Sequence, residues 1–461
     1  MVDKKFKQGD MIMRDLGRIS FSVIILSLSC ASFVSAYSGG TGEPNNPYKI
    51  ANIADFNQLT LDPNNWNKAF ILMADINLAG RIFTQAPIAP DTSTTSGFQG
   101  TQFTGSFDGN GHIIRNLTYS TITAGNYAGL FGYTSNATIR NLGLEDVDIY
   151  TGGGVVGCLV GQQDCTITSC HTTGSVTSNA PSSYAYAGGL VGYQYEGTIT
   201  SCYSTVTVVS TAYSSAINGG LVGWQHSGSI TSSYSTGNIS ATSSNATAYA
   251  GGLVGSQNYG AGPISFCYST GNVVSVSNGP SYAGSSVDVF AGGLVAACSG
   301  SVVNCYSTGQ VSAAGNHLVY KGGLLGYNIG TITACFWDIN TSGLNTSAGG
   351  TGKTTAEMKT LSTFTSVGWD FTNETANGTS DIWRMCTDGI MYPRLNWQSL
   401  YGDLACPDGV SFVDFADFAA RWLTAGCSSS NNFCGGADMD FSGVVDMTDF
   451  AMFADNWLEG I

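Results

Sequence analysis

The sequence has few charged residues, and most of them are negative. Asp, Glu, Lys and Arg make up 10% of the 461 residues, with 16 Lys and Arg against 31 Asp and Glu. Lys and Arg are absent between positions 141 and 320. Because binding to phosphate needs clusters of basic side chains, we expect neither a nucleic-acid partner nor binding to an anionic membrane surface.

The sequence also lacks an apolar run long enough to cross a bilayer. The run at 21–29 is too short, but it follows five basic residues and precedes small residues at 34–36. This order is typical of a signal peptide, and a retained anchor is the alternative. We therefore predict a signal peptide over 1–36 and a secreted protein, attached to the cell surface or free, with no membrane span after cleavage.

Residue patterns that carry catalysis are missing as well. The GGTGKTT stretch at 349–355 is not a phosphate-binding loop, because position 347 is serine rather than the required glycine. No HExxH motif or metal-ligand spacing connects the histidines, which are His112, His171, His226 and His317. We predict no catalytic constellation and favour a protein that is not an enzyme.

One acidic cluster keeps a polysaccharide-degrading enzyme open as the alternative. Glu145, Asp146 and Asp148 lie close together in GLEDVDI, and glycosidases work with paired carboxylates. Acids exposed to solvent are the simpler interpretation of this cluster. A polysaccharide lyase would need cationic groups beside a uronate, and the repeats contain none between 141 and 320.

Glycine is abundant, with 61 residues, and an internal repeat occupies residues 125–340. Each unit has short runs of Leu, Val, Ile, Tyr and Thr broken by Gly, Ser and Asn, without a helical period. The core leucines follow one another at intervals of 29, 31, 31, 32, 41 and 30 residues; they are Leu130, Leu159, Leu190, Leu221, Leu253, Leu294 and Leu324. This pattern predicts an all-β protein, a right-handed parallel β-helix with one coil per repeat and an insertion at 279–290.

Stacked coils should bring equivalent residues into columns. One column holds Cys170, Cys202, Cys267, Cys305 and Cys335, with Ser233 and Asn141 in the other coils. Side chains in parallel register point the same way, which fits disulfide geometry poorly, so we favour a buried stack of thiols over a chain of disulfides.

Two further columns contain amides and aromatic rings. The amide column holds Gln163, Gln194, Gln225, Gln257 and Asn328, which we expect to form hydrogen bonds along the stacking axis. The aromatic column holds His171, Tyr203, Tyr234, Tyr268, Tyr306 and Phe336. These rings could form an exposed strip that binds sugars or a packed column, and the sequence leaves both interpretations open.

GGLVG followed by ITSCYSTG resembles the GLUG repeat of secreted and surface bacterial proteins. The resemblance implies an N-terminal cap and first strands over 37–124, with a short helix near 53–59. It also implies a repeat solenoid over 125–340 and a closing segment over 341–398. Such repeats serve as spacers, adhesive surfaces or appendages of enzymes, and carry no known chemistry of their own.

The last sixty or so residues change in composition and form two related halves. In DMDFSGVVDMTD the spacing of oxygen-bearing residues is that of a calcium loop with glycine at its sixth position. The predicted ligands are Asp438, Asp440, Ser442, the Val444 carbonyl, Asp446 and Asp449. A degenerate first loop retains Asp403, Asp408, Ser411 and Asp414.

Two loop–helix halves of this size, with Asp at the twelfth loop position, resemble a dockerin module. The resemblance covers 402–461 and implies a small helical calcium-binding module that docks onto a cohesin-like protein of a scaffold or cell surface. We expect a secreted, non-catalytic surface, adhesion or carbohydrate-binding protein that is tethered by this module, with polysaccharide as its ligand. A passive structural spacer is a further alternative.

Overall fold

The computed structural model describes residues 37–93, 97–122, 126–280, 287–372, 374–385, 388–398, 402–404, 410–428, 432–440, 442–455 and 457. The predicted signal peptide, the middle of the predicted insertion, and Asp408 and Cys406 lie outside these residues. Within them the chain is mostly β and forms a parallel β-solenoid of about seven turns, which confirms the predicted fold class.

The coils stack through three parallel sheets, so that each strand pairs with its equivalent in the next coil. In the third sheet, for example, Ala216 pairs with Ala248 and Gly219 with Gly251. Among the described residues the first sheet has 14 strands. They are Tyr48–Ile50, Ala69–Leu72, Ser106–Asp108, Phe131–Arg140, Val160–Thr168, Val191–Thr200, Val222–Gln225, Ser229–Thr231, Val254–Gln257, Ile264–Ser265, Val295–Cys298, Ser301–Val303, Leu325–Asn328 and Thr331–Thr333.

The second sheet follows the first along the chain, and the third follows the second. In the described ranges the second sheet has 16 strands and the third has seven. The second comprises Ile76–Asn77, Ile82–Phe83, Ile113–Arg115, Thr118–Ser120, Gly143–Thr151, His171–Ala180, Tyr203–Ser204, Thr207–Ala212, Tyr234–Ser235, Ile239–Ser243, Tyr268–Ser269, Val273–Ser277, Tyr306–Ser307, Val311–Gly315, Phe336–Asp338 and Thr351–Lys353. The third comprises Asn126–Ala128, Gly154–Gly157, Ala185–Gly188, Ala216–Gly219, Ala248–Gly251, Val289–Gly292 and Val319–Gly322.

The core inside the three sheets is built from the repeated apolar positions. All seven predicted core leucines are at most 1% exposed. Strands alternate between the core and the outside, as in Thr207–Ala212, where every second residue is buried. The hydrophobic core therefore runs continuously from coil to coil, as the repeat predicted.

The corner between the first and second sheets depends on one residue with a left-handed backbone in each coil. The residues at this position have φ between 46° and 54°; they are Asn141, Ser169, Ser201, Ser232, Phe266, Asn304 and Ala334. Asn141 therefore lies in the turn and not in the cysteine column to which the sequence alignment assigned it. Leu142, which is 1% exposed, takes the column position instead.

The bend between the third and first sheets is formed by the GGLVG segments, and its glycines allow close backbone contact. A Cβ atom at Gly192 would lie 2.6 Å from the Val156 nitrogen, and one at Gly223 would lie 2.6 Å from the Gly192 oxygen. Only glycine fits where the backbones of successive coils approach this closely.

Helices lie at the two ends of the solenoid and in the C-terminal module. Helix α1 (Ile53–Thr60) matches the predicted capping helix and begins with Asn52 as its N-cap. A 3-10 turn follows at Pro63–Asn65. The closing segment contains α2 (Ile339–Ser342), α3 (Thr355–Met358), α4 (Leu361–Thr365), a two-stranded antiparallel sheet (Trp383–Arg384 with Arg394–Leu395) and a 3-10 turn at Asn396–Gln398.

The closing segment pairs with part of the last coil. Thr351–Lys353 pairs in parallel with Phe336–Asp338. The Ala348 amide donates to the Leu325 oxygen at 3.0 Å, and the Gly323 amide donates to the Thr346 oxygen at 3.0 Å. The segment after the last coil thereby adds one strand to the second sheet and bonds to the first sheet and to the bend between the third and first sheets.

The C-terminal module is helical and has its own small core. Its helices are α5 (Phe412–Ala420), α6 (Asn432–Gly435) and α7 (Met447–Asp455). The buried core includes Val410, Phe418, Met439, Val445 and Phe453. A disulfide joins Cys427 to Cys434 between α5 and the second loop. Across the described residues, no helix is both long and apolar enough to cross a membrane.

Truncation of a core leucine tests whether the core is continuous. Leu221→Ala should lower the free energy of unfolding by about 2–5 kcal/mol, because it leaves a cavity between tightly packed coils. Val209→Ala is the matched control, because Val209 is 37% exposed on an outer strand face, and it should cost about 1 kcal/mol or less. Chemical denaturation monitored by circular dichroism measures both variants, and equal losses would contradict a continuous core.

Candidate functional site

The cysteine column is a buried stack of thiols. The thiols of Cys202, Cys267 and Cys305 each donate to the carbonyl oxygen two residues earlier at 3.1 Å. The Cys267 amide in turn donates to the Cys305 sulfur at 3.3 Å. Ser233 makes the same bond through its hydroxyl, which explains why serine can replace cysteine in this column.

The side-chain amides of this column donate hydrogen bonds to main-chain carbonyls rather than to one another. The Gln225 side-chain nitrogen donates to the Gly228 oxygen at 2.9 Å in its own coil. The Gln194 nitrogen reaches the Ser229 oxygen of the next coil at 3.2 Å. Buried amides here satisfy carbonyl groups of the irregular backbone that follows them, which a repeat pattern alone does not reveal.

The predicted aromatic column is stacked, and most of it is covered. Neighbouring rings from His171 to Tyr306 lie 4.8 to 5.0 Å apart with interplanar angles of 1° to 7°. The ring faces therefore contact one another rather than solvent. The closing segment packs on the far end, where Trp369 and Trp383 contact Tyr306. This geometry favours the packed-column interpretation over an exposed strip for sugars.

A second aromatic arrangement lies on the outside of the GGLVG bend, and the sequence analysis missed it. Rings from the third and first sheets meet across the bend, as Tyr127 meets Tyr133 at 5.8 Å and Tyr186 meets Trp224 at 5.1 Å. Rings from the two sheets are thus in contact across the outer side of the bend. We call this surface the elbow groove; it is lined by Tyr127, Tyr133, Tyr186, Tyr193, Trp224, Tyr249, Phe290, Tyr320 and Tyr327.

The phenols and amides of the elbow groove are uncharged, while the carboxylates of Asp91, Asp164 and Asp288 lie near Tyr127, Tyr133 and Tyr249. Burial is the main cause that raises the pKa of Tyr186 and of Tyr193 to about 12, so both phenols stay neutral at physiological pH. The Trp224 indole donates to the Asn258 side-chain oxygen at 2.9 Å, and Gln162 donates to the Tyr133 hydroxyl at 3.1 Å. The sequence signal was an aromatic residue on each side of AGGLVG, as in the stretch YAGGLVGY at 186–193.

The acidic cluster on the repeats is an exposed surface with partners of its own. Glu145 contacts Arg115 at 3.1 Å and His171 at 3.5 Å. Burial lowers the pKa of His171, and Glu145 opposes that shift. Asp148 accepts a hydrogen bond from the Ser175 hydroxyl at 3.1 Å, and Asp146 lies exposed at an irregularity of the strand. These contacts fit the interpretation of surface acids.

The second predicted calcium loop brings three carboxylates together. Oxygens of Asp438, Asp440 and Asp449 all lie within 4.8 Å of one another. Asp438 is 1% exposed and Asp449 is fully buried. Gly443, at the predicted sixth position, has φ of +93°, which a side chain would strain.

Main-chain amides hold these carboxylates in place. Asp449 accepts from the amides of Met439 at 2.6 Å and Asp446 at 2.8 Å. Asp438 accepts from the amides of Ser442 and Gly443, both at 3.0 Å. None of the ion pairs among the described residues involves the three carboxylates. Their negative charge and hard oxygen donors are what a divalent ion such as calcium requires.

The remaining predicted ligands lie around this cluster. The Ser442 hydroxyl contacts the Val444 carbonyl at 3.2 Å, and Asp446 accepts from the Thr448 amide at 2.8 Å at the start of α7. In the degenerate first loop, Ser411 and Asp414 form a capping box at the start of α5. Asp403 forms an ion pair with Arg384 of the closing segment. Asp408 lies outside the described residues.

The fold and sites define a parallel β-solenoid of glycine-rich coils, followed by a helical module with an acidic loop. The family model described as the GLUG motif matches residues 183–209, which cover one elbow and its flanking strands. This match confirms the predicted GLUG resemblance at that repeat.

Halomucin, a relative in sequence, is much longer than this chain, and the two similar solved structures share 20% and 18% sequence identity with it. Halomucin of Haloquadratum walsbyi is 34% identical over 166 residues, which is 34% of this chain and 2% of halomucin. A candidate immunoglobulin A1 protease from Bacteroides ovatus aligns over 79% of this chain and 96% of its own, with 20% identity and a TM-score of 0.48. An IgA1 protease aligns over 62% of this chain and 21% of its own, with 18% identity and a TM-score of 0.39.

The buried thiols lead to a prediction about chemical labelling. Burial raises the pKa of Cys170 and of Cys305 well above the usual range, so each stays a protonated, unreactive thiol even in mildly alkaline buffer. We expect no alkylation at these positions in the native protein and full alkylation after denaturation without a reducing agent. Peptide mapping by mass spectrometry measures the labelling. If denatured protein needed a reducing agent to expose these thiols, the column would be disulfide-bonded.

Proposed function

We propose that the protein is an exported, non-catalytic binding protein held at a scaffold or cell surface by its calcium-dependent, dockerin-like C-terminal module. In this proposal the solenoid presents the binding surface and the module provides the attachment. The observation that carries the proposal is the convergence of Asp438, Asp440 and Asp449 in a loop that directly precedes and enters α7.

Calcium would bind to the side chains of Asp438, Asp440, Ser442, Asp446 and Asp449 and to the Val444 carbonyl. The ion would neutralise carboxylates that otherwise repel one another, and so would couple the second loop to the fold of the module. Pairing of the loop with the segment after α5 supports this coupling, because the Val445 amide donates to the Thr424 oxygen at 2.9 Å.

The surface of the module offers a place for a cohesin-like partner. Phe412 is 76% exposed, and Val413, Leu423 and Met447 are at least 65% exposed. Apolar side chains this exposed on so small a module are typical of a protein interface. They lie at the start of α5, after its end and at the start of α7, so calcium at the second loop would fix the position of Met447.

For the solenoid we propose a neutral polysaccharide as the ligand, bound along the elbow groove. Tyrosine and tryptophan combine an apolar ring with a polar edge, which suits a ligand that has both C–H faces and hydroxyl groups. No Lys or Arg occurs between 141 and 320, so the groove offers an acidic polysaccharide no cation from these coils. Uncharged donors and acceptors, such as the Tyr193 hydroxyl and the Asn258 amide, match a neutral chain.

Calcium should stabilise the module and leave the solenoid unchanged. At a calcium concentration one hundred times the dissociation constant, the module should gain about 2.7 kcal/mol. Asp438→Asn should abolish most of this gain, because it removes a buried carboxylate from the cluster. Calorimetry on the full chain, with calcium and with a chelator, resolves the two transitions.

Asp417→Asn is the control for this experiment. Asp417 belongs to the same module, but it is half-exposed and pairs with Arg421 at 2.6 Å. We expect the calcium response of this variant to equal that of the unaltered protein. A response lost in both variants, or a solenoid that melts on chelation, would contradict the assigned site.

Replacement of Trp224 tests the polysaccharide ligand. Trp224→Ala should weaken binding to a neutral polysaccharide by about tenfold, because it removes a central ring of the elbow groove. Tyr213→Ala is the matched control, since Tyr213 is a 49% exposed aromatic residue outside the groove. Affinity electrophoresis through gels with embedded polysaccharides measures both variants.

The same panel distinguishes the alternative functions. Release of reducing ends without retention would favour a polysaccharide-degrading enzyme. Neither release nor retention would favour a passive spacer. Retention that is unaffected by Trp224→Ala would place the ligand elsewhere on the solenoid.

A further inference from the structure

The degenerate first loop of the module lies against a buried arginine from the closing segment. The guanidinium of Arg384 lies 3.6 Å from the Asp403 carboxylate. Their side chains are only 13% and 8% exposed. A pair this buried needs charge balance, because an isolated charge of either sign would be costly to desolvate.

Both partners are held by packed neighbours. Arg384 follows Trp383, which is fully buried in the closing segment and stacks on Trp369 at 4.5 Å. The residues on either side of Asp403 contact the core of the module. Gly402 lies against Phe453 and Val410, and Leu404 packs on the same core. The ion pair therefore joins two separately packed cores.

The positions of the acids match those of the calcium loop in the second half. The two halves are offset by 35 residues, so Asp403 corresponds to Asp438 and Asp414 to Asp449. Asp414 also makes the equivalent bond at its helix start, since it accepts from the Ser411 amide at 2.8 Å as Asp449 does from Asp446. The counterpart of Asp440 is Ala405, so the first half lacks the third carboxylate of the cluster.

The charges near Arg384 fit the same correspondence. Burial lowers the pKa of its guanidinium; Asp403 and Asp414 oppose that shift and Arg394 adds to it. The group thus interacts with the acids at both the first and the twelfth positions of the degenerate loop. One guanidinium suits two carboxylates, whereas the second loop brings three carboxylates together, which suit a divalent ion.

We infer that Arg384 takes the place of calcium in the first half of the module and thereby fastens the module to the closing segment of the solenoid. The first half of the module is then ordered by a side chain of the protein itself, and only the second half responds to calcium. The module is therefore fixed to the solenoid whether or not calcium is present.

Hydrogen exchange and calcium stoichiometry on the full chain test this inference. Arg384→Gln should raise amide exchange in α5 by about tenfold or more, because Asp403 is left buried without its cation. Arg394→Gln is the matched control. Arg394 lies opposite Arg384 in the register of the two-stranded antiparallel sheet, but it is exposed. Asp403→Asn combined with Arg384→Gln should exchange no faster than Arg384→Gln alone. Isothermal titration with calcium should give one site per unaltered chain.

Equal exchange in α5 for the Arg384 and Arg394 variants would overturn the inference. Two calcium sites in the unaltered chain would also overturn it, since the first loop would then hold its own ion. The titration rests on the proposed function, but the exchange comparison does not. If the chain bound no calcium at all, the proposed calcium-dependent attachment would be wrong. The comparison of amide exchange in α5 would still decide the role of Arg384.

Discussion

Parallel, in-register pairing between successive coils is the interaction on which the rest of the structure depends. Each strand satisfies its backbone groups only through the coils before and after it, so a residue type placed once in the repeat recurs at the same place in space. The stacked thiols, the buried amides and both sets of aromatic rings are consequences of this register. The insertion before Leu294 is tolerated because the strands Val289–Gly292 and Val295–Cys298 keep the pairing of their neighbours.

The same register places aromatic side chains in two different packing arrangements. Rings on the second sheet, such as Tyr234 and Tyr268, lie face to face, and the closing segment packs over part of their column. Rings beside the GGLVG bend also stack along the third sheet, as Tyr249, Phe290 and Tyr320 do, and they additionally meet rings of the first sheet at steep angles. The rings at the bend therefore pack against neighbours from two sheets, whereas those of the second sheet pack within one column and against the closing segment. The contrast comes from the angle between sheets, since both sets of rings have the same spacing along the stack.

Much of the fold could be predicted because the repeat pattern is strong. All seven leucines that the repeat spacing identified are buried in the core, and the acidic spacing around Gly443 identified the carboxylates that converge. The alignment erred by one residue at Asn141, because its coil has leucine where the others have cysteine or serine. The elbow groove was missed because its rings flank the motif rather than belong to it. The contact between Arg384 and Asp403 joins two separately packed segments, and no local pattern reveals such a contact.

The chain that follows the last coil lies against part of the edge of the stack. Strands at the end of a parallel stack carry a row of unpaired amides and carbonyls, which would template the addition of further strands from other molecules. Thr351–Lys353 adds a strand to the second sheet, the Ala348 amide bonds to Leu325 of the first sheet, and α1 lies beside the first strand at the opposite end. These segments cover part of the edge at each end of the stack, which leaves fewer free amides and carbonyls for strands of other molecules.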